Sequence, residues 1–263
     1  MTSLQGVPDA CVFLADVERK YRALMAAVPG RESDRGGLES SLGGALLYAG
    51  EMDYAGRALV VASNVAGAAA LTATADPAAQ KQAVHDGVVD FLVTSLDEAL
   101  RILKNEIRKR ETVAVCVAAA PDTLECELKE RGVAPDLSRQ TMEEDRIAHQ
   151  AQSVWVNWSV AAMPAQWLPR LDVMAMECLP IEANLARRWL RLAPRYLGRM
   201  ALGERLVTAE AAFAACFSER VCQAVGRREL AVPVTMRICD EAGCRERQFV
   251  PAQELATRSI TSL

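Results

Sequence analysis

The residues of this sequence best suited to chemistry lie in a glycine-bearing turn from Gly50 to Arg57, with the sequence Gly-Glu-Met-Asp-Tyr-Ala-Gly-Arg. An apolar run, Ala45 to Tyr48, precedes the turn, and an alanine-rich helical stretch that ends near Gly67 follows it. A strand, a glycine turn and a helix N-terminus together favour a phosphate group, because backbone N–H groups and the helix dipole both point at the anion.

The turn departs from the dinucleotide-binding fingerprint G-x-G-x-x-G. Glu51 and Asp53 place carboxylates where a pyrophosphate would lie. Two interpretations are therefore open. The turn is either a dinucleotide site or an ordinary βα turn in which Gly50 and Gly56 serve tight backbone geometry.

The histidines and the last two cysteines are weaker candidates. His85 precedes an Asp-Gly turn and His149 lies in a polar helical stretch, so both are expected to be solvated surface residues. Two histidines are too few for a histidine-based zinc site or a Ser-His-Asp triad. Cys239 and Cys244 flank a turn, and no second pair follows to complete a metal site, which favours cross-strand neighbours. No metal is expected.

The net charge of the chain and the placement of its cysteines indicate which partners and which cellular compartment to expect. The formal net charge of -4 gives no electrostatic footprint for nucleic acid or an anionic membrane, although a local basic patch stays open. No apolar run approaches the roughly 18 residues of a membrane span, and the first residues contain no basic leader. The eight cysteines are scattered rather than set out as a disulfide framework, so we expect reduced thiols and a cytoplasmic protein. They are Cys11, Cys116, Cys126, Cys178, Cys216, Cys222, Cys239 and Cys244.

Strands and helices alternate in the pattern of apolar residues between positions 43 and 141. Ser95 and Glu98 have the spacing of a capping box, which predicts a helix start before an apolar stripe at Leu96, Leu100, Leu103 and Ile107. The predicted elements are a strand at 45–48, a helix ending near 67, a strand at 70–75, a helix at 77–84, a strand at 88–94, a helix at 95–110, a strand at 112–118 and a helix from Asp122, as its cap, to 131. Such alternation implies a parallel sheet with right-handed crossovers. The predicted fold is α/β: a Rossmann-like parallel sheet with helices on both faces, plus a mostly helical C-terminal part.

Three regions follow from this pattern. Residues 1–42 are expected to form an N-terminal helix, from Asp9 to Val28, and a loop; residues 43–141 form the Rossmann-like domain; residues 142–263 form a helical part that ends in a β-hairpin. Within the last region, helices are predicted for the stretch that contains Trp155, Trp158 and Trp167, for 181–197 and for 208–225. The hairpin strands are predicted at 232–239 and 245–250, around a turn-forming tetrad at 240–243.

The helix predicted at 181–197 carries a basic face. Its arginines are Arg187, Arg188, Arg191, Arg195 and Arg199, interleaved with apolar residues that include Trp189. This face is either solvated or in contact with an acidic partner or an anionic ligand, since arginine forks match carboxylate and phosphate. The tryptophans are expected in the core or at an interface, with Trp158 and Trp167 as candidates for lining a pocket.

Four groups of residues occur in a recognisable order. They are Gly50…Gly56-Arg57-Ala58…Ala66-Gly67, then Leu96-Asp97-Glu98-Ala99-Leu100, then Arg131-Gly132-Val133-Ala134-Pro135-Asp136, then Gln140-Thr141. From about Gly43 to Thr141 the chain thereby resembles the central NAD-binding domain of urocanase (urocanate hydratase), and the Arg-Gly-Val-x-Pro-Asp group is the most specific part. The resemblance implies a tightly held NAD+ that acts as an electrophile toward an imidazole, so that water adds to a conjugated acid without net hydride transfer.

The resemblance also implies where a ligand would bind, because ligands of such sheets lie outside the carboxyl ends of the strands. The expected cofactor-binding residues are Gly50, Met52, Gly56, Arg57, Thr74, Ala119, Gln140 and Thr141. The chain departs from the family at several places: Glu51, Asp53 and Tyr54 in the phosphate loop, Thr74 in place of an acidic ribose-binding residue, Ala119-Ala120 in place of Gly-Asn, and Met142 and Glu144 in place of serine and histidine.

Two functions are expected from these observations. The first is a divergent urocanase-like protein that binds an NAD-like nucleotide or a small anionic metabolite at the Gly50–Arg57 turn, with a hydro-lyase type of reaction on a substrate other than urocanate. No catalytic residue is identified. The alternative is a non-catalytic assembly protein, a homodimer or a partner-binding protein, in which the sheet is a scaffold.

Overall fold

The computed structural model describes residues 9–27, 41–140, 153–198, 203–240 and 242–251. The chain divides into two compact units. The parallel-sheet unit contains Asp16–Ala148 and Leu192–Met200, and the antiparallel-sheet unit contains Met1–Ala15, His149–Arg191 and Ala201–Leu263.

The parallel-sheet unit is an α/β Rossmann-like fold, as predicted. Among the described residues its sheet has five parallel strands in the order β3-β4-β2-β1-β5. The first helix, α1 (Asp9–Ala27), has residues in both units. The elements that follow are β1 Leu46–Glu51, α2 Tyr54–Ala66, β2 Ala69–Ala73, α3 Pro77–His85, β3 Phe91–Val93, α4 Leu96–Lys109, β4 Ala114–Val117, α5 Pro121–Glu130 and β5 Leu137–Ser138.

The local sequence explains where these helices begin and end. The Ser95 hydroxyl accepts a hydrogen bond from the Glu98 N–H (3.3 Å) and caps α4, which confirms the capping residue predicted there. Gly67 ends α2 in the left-handed conformation (φ 95°). The prediction that Asp122 caps α5 is wrong: Ala120 is the N-cap, and Pro121 occupies the first turn, where its fixed φ favours the helix.

The core of this unit includes a cluster of apolar side chains from β1, β2, β3 and β4 together with helices α4 and α5. The predicted apolar stripe of α4 lies in it, with Leu96, Leu100 and Leu103 buried and Ile107 packed at its edge. Helix α2 is buried along most of its length, from Ala58 to Ala66. Its small side chains suit close packing, and the helix start is thereby held at the end of β1.

The order of the strands places a topological switch point beside β1. Strands β2 and β4 follow on one side of β1, whereas β5 pairs with its other side. The Asp136 carboxylate accepts a hydrogen bond from the Leu46 N–H (2.8 Å), which fastens the entry of β5 to the start of β1. Ligands of open α/β sheets bind outside the carboxyl ends of the strands at such a switch point. The residues that follow β1 and β5 therefore form the candidate ligand site.

The antiparallel-sheet unit contains a second sheet with the order β7-β6-β8-β9. Its elements are β6 Ser153–Val160, α6 Pro164–Cys178, α7 Asn184–Leu197, β7 Glu204–Glu210, α8 Ala211–Gly226, β8 Val234–Asp240 and β9 Gly243–Phe249, of which α7 has residues in both units. The helix predicted around Trp155 and Trp158 is wrong, because these residues lie on β6, and residues 208–210 likewise belong to β7. The predicted helix that contains Trp167 and the terminal hairpin are confirmed.

The tryptophans pack inside the antiparallel-sheet unit. Trp158 is fully buried and meets Phe217 edge to face, with ring centroids 4.9 Å apart. Trp189 is 1% exposed, and its indole N–H donates to the Leu206 carbonyl. Trp167 is also buried. The core placement of these side chains is confirmed, whereas the hypothesis that Trp158 and Trp167 line a pocket is wrong.

Cys239 and Cys244 are directly opposite each other in the hairpin, as predicted. The structure joins them in a disulfide, so the expectation that all eight cysteines are reduced is wrong at this pair. The hairpin register explains the pairing, since it brings the two Cα atoms within 4.1 Å. Cys11, Cys116, Cys126, Cys178, Cys216 and Cys222 are free thiols.

In the described segments, no helix is both long enough and apolar enough to span a lipid bilayer.

Candidate functional site

The turn at the end of β1 is shorter than the sequence predicts. Strand β1 continues through Glu51 and α2 begins at Tyr54, which leaves Met52 and Asp53 between them. Gly50 lies within the strand at φ 72°, where the pairing of β1 with β2 shifts register. A glycine at positive φ is typical of such a bulge. The Gly50 carbonyl accepts a hydrogen bond from the buried Thr72 hydroxyl (2.8 Å), and the bulge is thereby fixed.

Met52 faces the protein interior. Its side chain is buried, and its N–H donates to the Ala73 carbonyl of β2 at 3.0 Å. The amide is therefore used by the sheet and is not offered to a ligand.

Gly56 sits where α2 crosses closest to β1. A Cβ atom at this position would lie 1.9 Å from the Glu51 carbonyl oxygen, a separation at which no side chain fits. In dinucleotide-binding folds one glycine of the fingerprint has this helix-packing role. Gly56 therefore explains how the helix N-terminus comes so close to the strand end.

Asp53 occupies the anion position at the start of α2. As the N-cap, its Oδ1 accepts a hydrogen bond from the Gly56 N–H at 2.7 Å. The same carboxylate receives the Arg139 guanidinium, whose Nη1 lies 3.0 Å from Oδ1 and 3.1 Å from Oδ2. Arg139 directly follows β5, so the pair spans the switch point between β1 and β5. The chain thus places its own carboxylate where the fold would hold a ligand phosphate.

Carboxylates influence two ionisable side chains of the parallel sheet. Burial raises the pKa of the Tyr48 phenol above its usual value, and the nearby carboxylates of Glu125, Asp122 and Glu51 raise it further. Burial also raises the pKa of the Cys116 thiol on β4 to about 11, with Glu51 contributing. Glu51 therefore lies close enough to Tyr48 on β1 and to Cys116 on β4 to influence both.

Thr74, which follows β2, is turned inward. The residue is 1% exposed, and its hydroxyl accepts a hydrogen bond from the Asp76 N–H at 3.3 Å. The Thr74 carbonyl accepts from the Gln80 amide at 2.9 Å. Asp76 in turn caps α3, since its Oδ1 accepts from the Ala78 N–H at 2.9 Å. Both polar side chains after β2 are therefore engaged within the chain.

The other expected ligand-binding residues are placed as follows. Arg57 is the fourth residue of α2, and its guanidinium pairs with the Asp86 carboxylate. Burial opposes ionisation of Asp86, but hydrogen bonds from Gln82, Arg57 and His85 prevail and hold the pKa of this carboxyl below its usual value. Ala119 is half-buried at the end of β4, where its N–H donates to the Val117 carbonyl (2.9 Å).

Gln140 is exposed after β5, beside Arg139. Thr141, together with Met142, Glu144 and His149, lies outside the described residues. The fold thus brings the ends of β1, β2, β4 and β5 to one sheet edge, while the Arg57 side chain is turned toward α3. His85 is exposed and lies 3.2 Å from Asp86 through its Nδ1.

Sequence reasoning missed the roles of Asp53 and Arg139. The signal for the first was its place three residues before Gly56, which is the spacing of an N-cap and its bonded N–H. The signal for the second was its place three residues after the Arg-Gly-Val-Ala-Pro-Asp group. Neither signal predicts the ion pair itself, because that pair depends on the order of the strands.

Helix α7, on which a basic face was predicted, does not expose all of its arginines. Arg188 is buried, and Arg187 donates to the carbonyls of Met176 (2.9 Å) and Leu179 (3.1 Å). Arg187 and Arg191 border a groove of about 350 Å³ against α6. Arg199 lies outside the described residues. In the described part of the chain, no group of three or more histidine, cysteine or acidic side chains is arranged to hold a metal ion.

Residues 31–155 match the family model described as the urocanase Rossmann-like domain. The match contains all of β1 to β5 and extends beyond both ends of the stretch, Gly43 to Thr141, on which the sequence resemblance rests. The switch-point residues Asp53 and Arg139 lie inside it.

Proposed function

We propose that the switch point of this chain, whose residues 31–155 match the urocanase Rossmann-like domain, binds a small metabolite with a single carboxylate or phosphate group. The observation that supports the proposal is the Asp53 carboxylate, held by the Gly56 N–H at the helix N-terminus and by Arg139. A site that already holds a carboxylate of the chain has the donors and the positive helix end that a ligand anion needs.

NAD, with which the family domain is associated, does not fit the residues as they stand. A pyrophosphate would meet the Asp53 carboxylate at the helix N-terminus. After β2 the adenosine ribose would meet the buried Thr74, whose hydroxyl accepts from the Asp76 N–H, and Asp76, whose Oδ1 caps α3. Of the fingerprint, the packing glycine Gly56 is kept. The residues therefore favour a smaller anion over a dinucleotide.

The displacement of Asp53 by a ligand is energetically accessible. Loss of an N-cap bond costs typically about 1 kcal/mol, and a partly exposed ion pair contributes about 0–1 kcal/mol. A ligand anion that replaces Asp53 thus has about 1–2 kcal/mol to overcome, which lowers its apparent affinity about tenfold. Competition on this scale weakens binding without abolishing it, and Arg139 remains as the cation that receives the ligand.

Hydration of the urocanase type relies on bound NAD for its electrophile. Because the residues do not fit NAD, no step of that reaction follows from them, and we assign the chain ligand binding without a catalytic residue. A hydro-lyase reaction on a substrate other than urocanate would need an acid or base among residues that approach the bound anion.

Calorimetric titration of the purified protein with inorganic phosphate, AMP, an imidazole carboxylate and NAD tests the proposal. We expect the small anions to bind, NAD to bind no more tightly than AMP, and Arg139→Gln to reduce the binding of each small anion about tenfold or more. Arg131→Gln is the matched control, since Arg131 pairs with Asp97 away from this turn in the same unit. NAD that copurifies with the protein, or full affinity in Arg139→Gln, would contradict the proposal.

A second candidate function, self-assembly, has one observation in its favour. Strand β3 is the edge strand next to β4, and Phe91 and Leu92 on it are 47% and 42% exposed, with Val84 nearby in sequence at 49%. An edge strand with exposed apolar side chains favours pairing with another copy of the chain. We propose a homodimer through β3.

Light scattering after size-exclusion chromatography tests this candidate. Leu92→Lys is expected to convert a dimer into a monomer, whereas Ile181→Lys, at a position that is 76% exposed in the other unit, leaves the dimer intact. A wild-type protein that is monomeric at micromolar concentration would rule out the assembly function.

A further inference from the structure

The antiparallel-sheet unit holds two thiols side by side. Cys178 is the last residue of α6, and Cys216 lies in the second turn of α8. Helix α6 packs against α8, and a hydrogen bond with the Cys216 thiol is among the causes that raise the pKa of Cys178. We propose that Cys178 and Cys216 are an oxidation site, at which a low-molecular-weight disulfide such as glutathione disulfide converts the two thiols into a reversible disulfide between α6 and α8.

A neighbouring ion pair shows independently that these helix faces meet. Arg220 lies one turn after Cys216 on α8, and Glu177 immediately precedes Cys178 on α6. The Arg220 Nη2 and Glu177 Oε2 atoms are 3.3 Å apart. Side chains four residues apart share a helix face, so the ion pair and the thiol pair are two links across the same interface.

The two thiols differ in exposure, and this difference determines which of them attacks the external disulfide first. Cys216 is exposed, whereas Cys178 is half-buried. Burial and the adjacent Cys216 raise the pKa of the Cys178 thiol to about 12. A thiol with a raised pKa is a poor first nucleophile, which assigns the first attack on an external disulfide to Cys216.

The reaction balances as two thiol–disulfide exchanges. The Cys216 thiolate attacks one sulfur of glutathione disulfide, the S–S bond of the oxidant breaks, and one glutathione leaves as a thiolate. Cys178 then loses its proton, and its sulfur attacks the Cys216 sulfur of the mixed disulfide, so that the second glutathione leaves. The two cysteine thiols are oxidised by two electrons, glutathione disulfide is reduced to two glutathiones, and the two protons end on the released thiols.

The other free cysteines provide the contrast. Cys11 and Cys116 are buried, and burial raises the pKa of each thiol to about 11, so attack on a soluble disulfide is disfavoured. Cys222 is exposed on α8, six residues after Cys216. Residues six apart do not share a helix face. Cys222 is therefore expected to take up glutathione as a mixed disulfide and to keep it.

Peptide mapping by mass spectrometry tests the site. The full chain is incubated with glutathione disulfide, free thiols are blocked by alkylation, and the protein is digested without reduction. We expect a Cys178–Cys216 cross-linked peptide that dithiothreitol removes, distinct in mass from the hairpin peptide that contains Cys239 and Cys244. Cys178→Ser should leave glutathione on Cys216, and the control Cys222→Ser should leave the cross-link unchanged.

Glutathione retained on Cys216 of the wild-type protein, with no cross-link to Cys178, would overturn the proposal. The same holds if Cys178 and Cys216 are both alkylated as completely as before treatment. Circular dichroism verifies that Cys178→Ser is folded; should that variant fail to fold, the wild-type peptide map decides the question by itself.

Discussion

Gly56→Ala is expected to damage the parallel-sheet unit by forcing α2 away from β1. The added Cβ would lie 1.9 Å from the Glu51 carbonyl oxygen and 3.3 Å from the Asp53 Oδ1. Because both the strand and the helix start are backbone, a side-chain rotation cannot relieve the first contact, and the two elements must separate by about 1 Å or more. Overpacking of this kind costs about 1–3 kcal/mol and sometimes more. We expect about 3 kcal/mol, since the displaced helix is buried from Ala58 to Ala66.

The assay must report on the right unit. All four tryptophans, Trp155, Trp158, Trp167 and Trp189, lie in the antiparallel-sheet unit, so their fluorescence is a poor probe of this change. Hydrogen exchange of peptides from β1 and α2 measures the effect directly, with urea unfolding followed by circular dichroism as a second readout. Gly226→Ala is the control, because its Cβ would meet nothing within 4 Å. Unchanged protection of β1 and α2 in Gly56→Ala would refute the packing role of Gly56.

Three further predictions concern stability. Leu103→Ala, at a core position that is 1% exposed, should lower the free energy of unfolding by about 2–5 kcal/mol in urea titrations, and a loss below 1 kcal/mol would contradict the core assignment. Burial raises the pKa of Asp172 despite Arg205, so the stability from this carboxyl is complete below its usual pKa of 3.8 and is lost as pH rises through the raised value. Asp172→Asn should therefore gain stability relative to wild type in urea titrations as pH rises from about 4 to 7; a constant difference would argue against the shift. Oxidation of Cys178 and Cys216 should raise the free energy of unfolding by about 2–4 kcal/mol, because it closes a loop of some 38 residues; the Cys222→Ser protein should show the same gain, and no gain would show that the bridge is strained.

The parallel sheet was predictable because its signals are local. Ser95 with Glu98, the stripe from Leu96 to Ile107 and the terminating Gly67 each lie within a single element. The second sheet was not, since β6 acquires its strand conformation from pairing with β7 and β8, which lie about 50 and 80 residues away. The sequence Ser-Val-Trp-Val-Asn-Trp-Ser-Val alternates only partly, as its burial confirms.

The position of the candidate site was predictable from the sequence, but the side-chain contacts within it were not. Gly50 and Gly56 located the βα turn, and the resemblance placed Gln140 and Thr141 beside it, whereas the short strand β5 before them was not predicted. The engagement of Thr74 with the Asp76 N–H and of Asp53 with Arg139 depends on backbone geometry after β2 and on the strand order of the sheet. Side-chain partners of this kind are not encoded by residue spacing alone.

The affinity of inorganic phosphate for Asp53→Ala, compared with wild type by calorimetric titration, tests the central claim most directly. If the Asp53 carboxylate occupies an anion site at the start of α2, its removal strengthens phosphate binding about tenfold, and the further change Arg139→Gln reverses the gain. Asp53→Asn is the matched variant, because asparagine keeps the N-cap bond to Gly56 and loses only the charge. Equal phosphate affinity in wild type and Asp53→Ala would contradict the claim that the chain fills its own phosphate site.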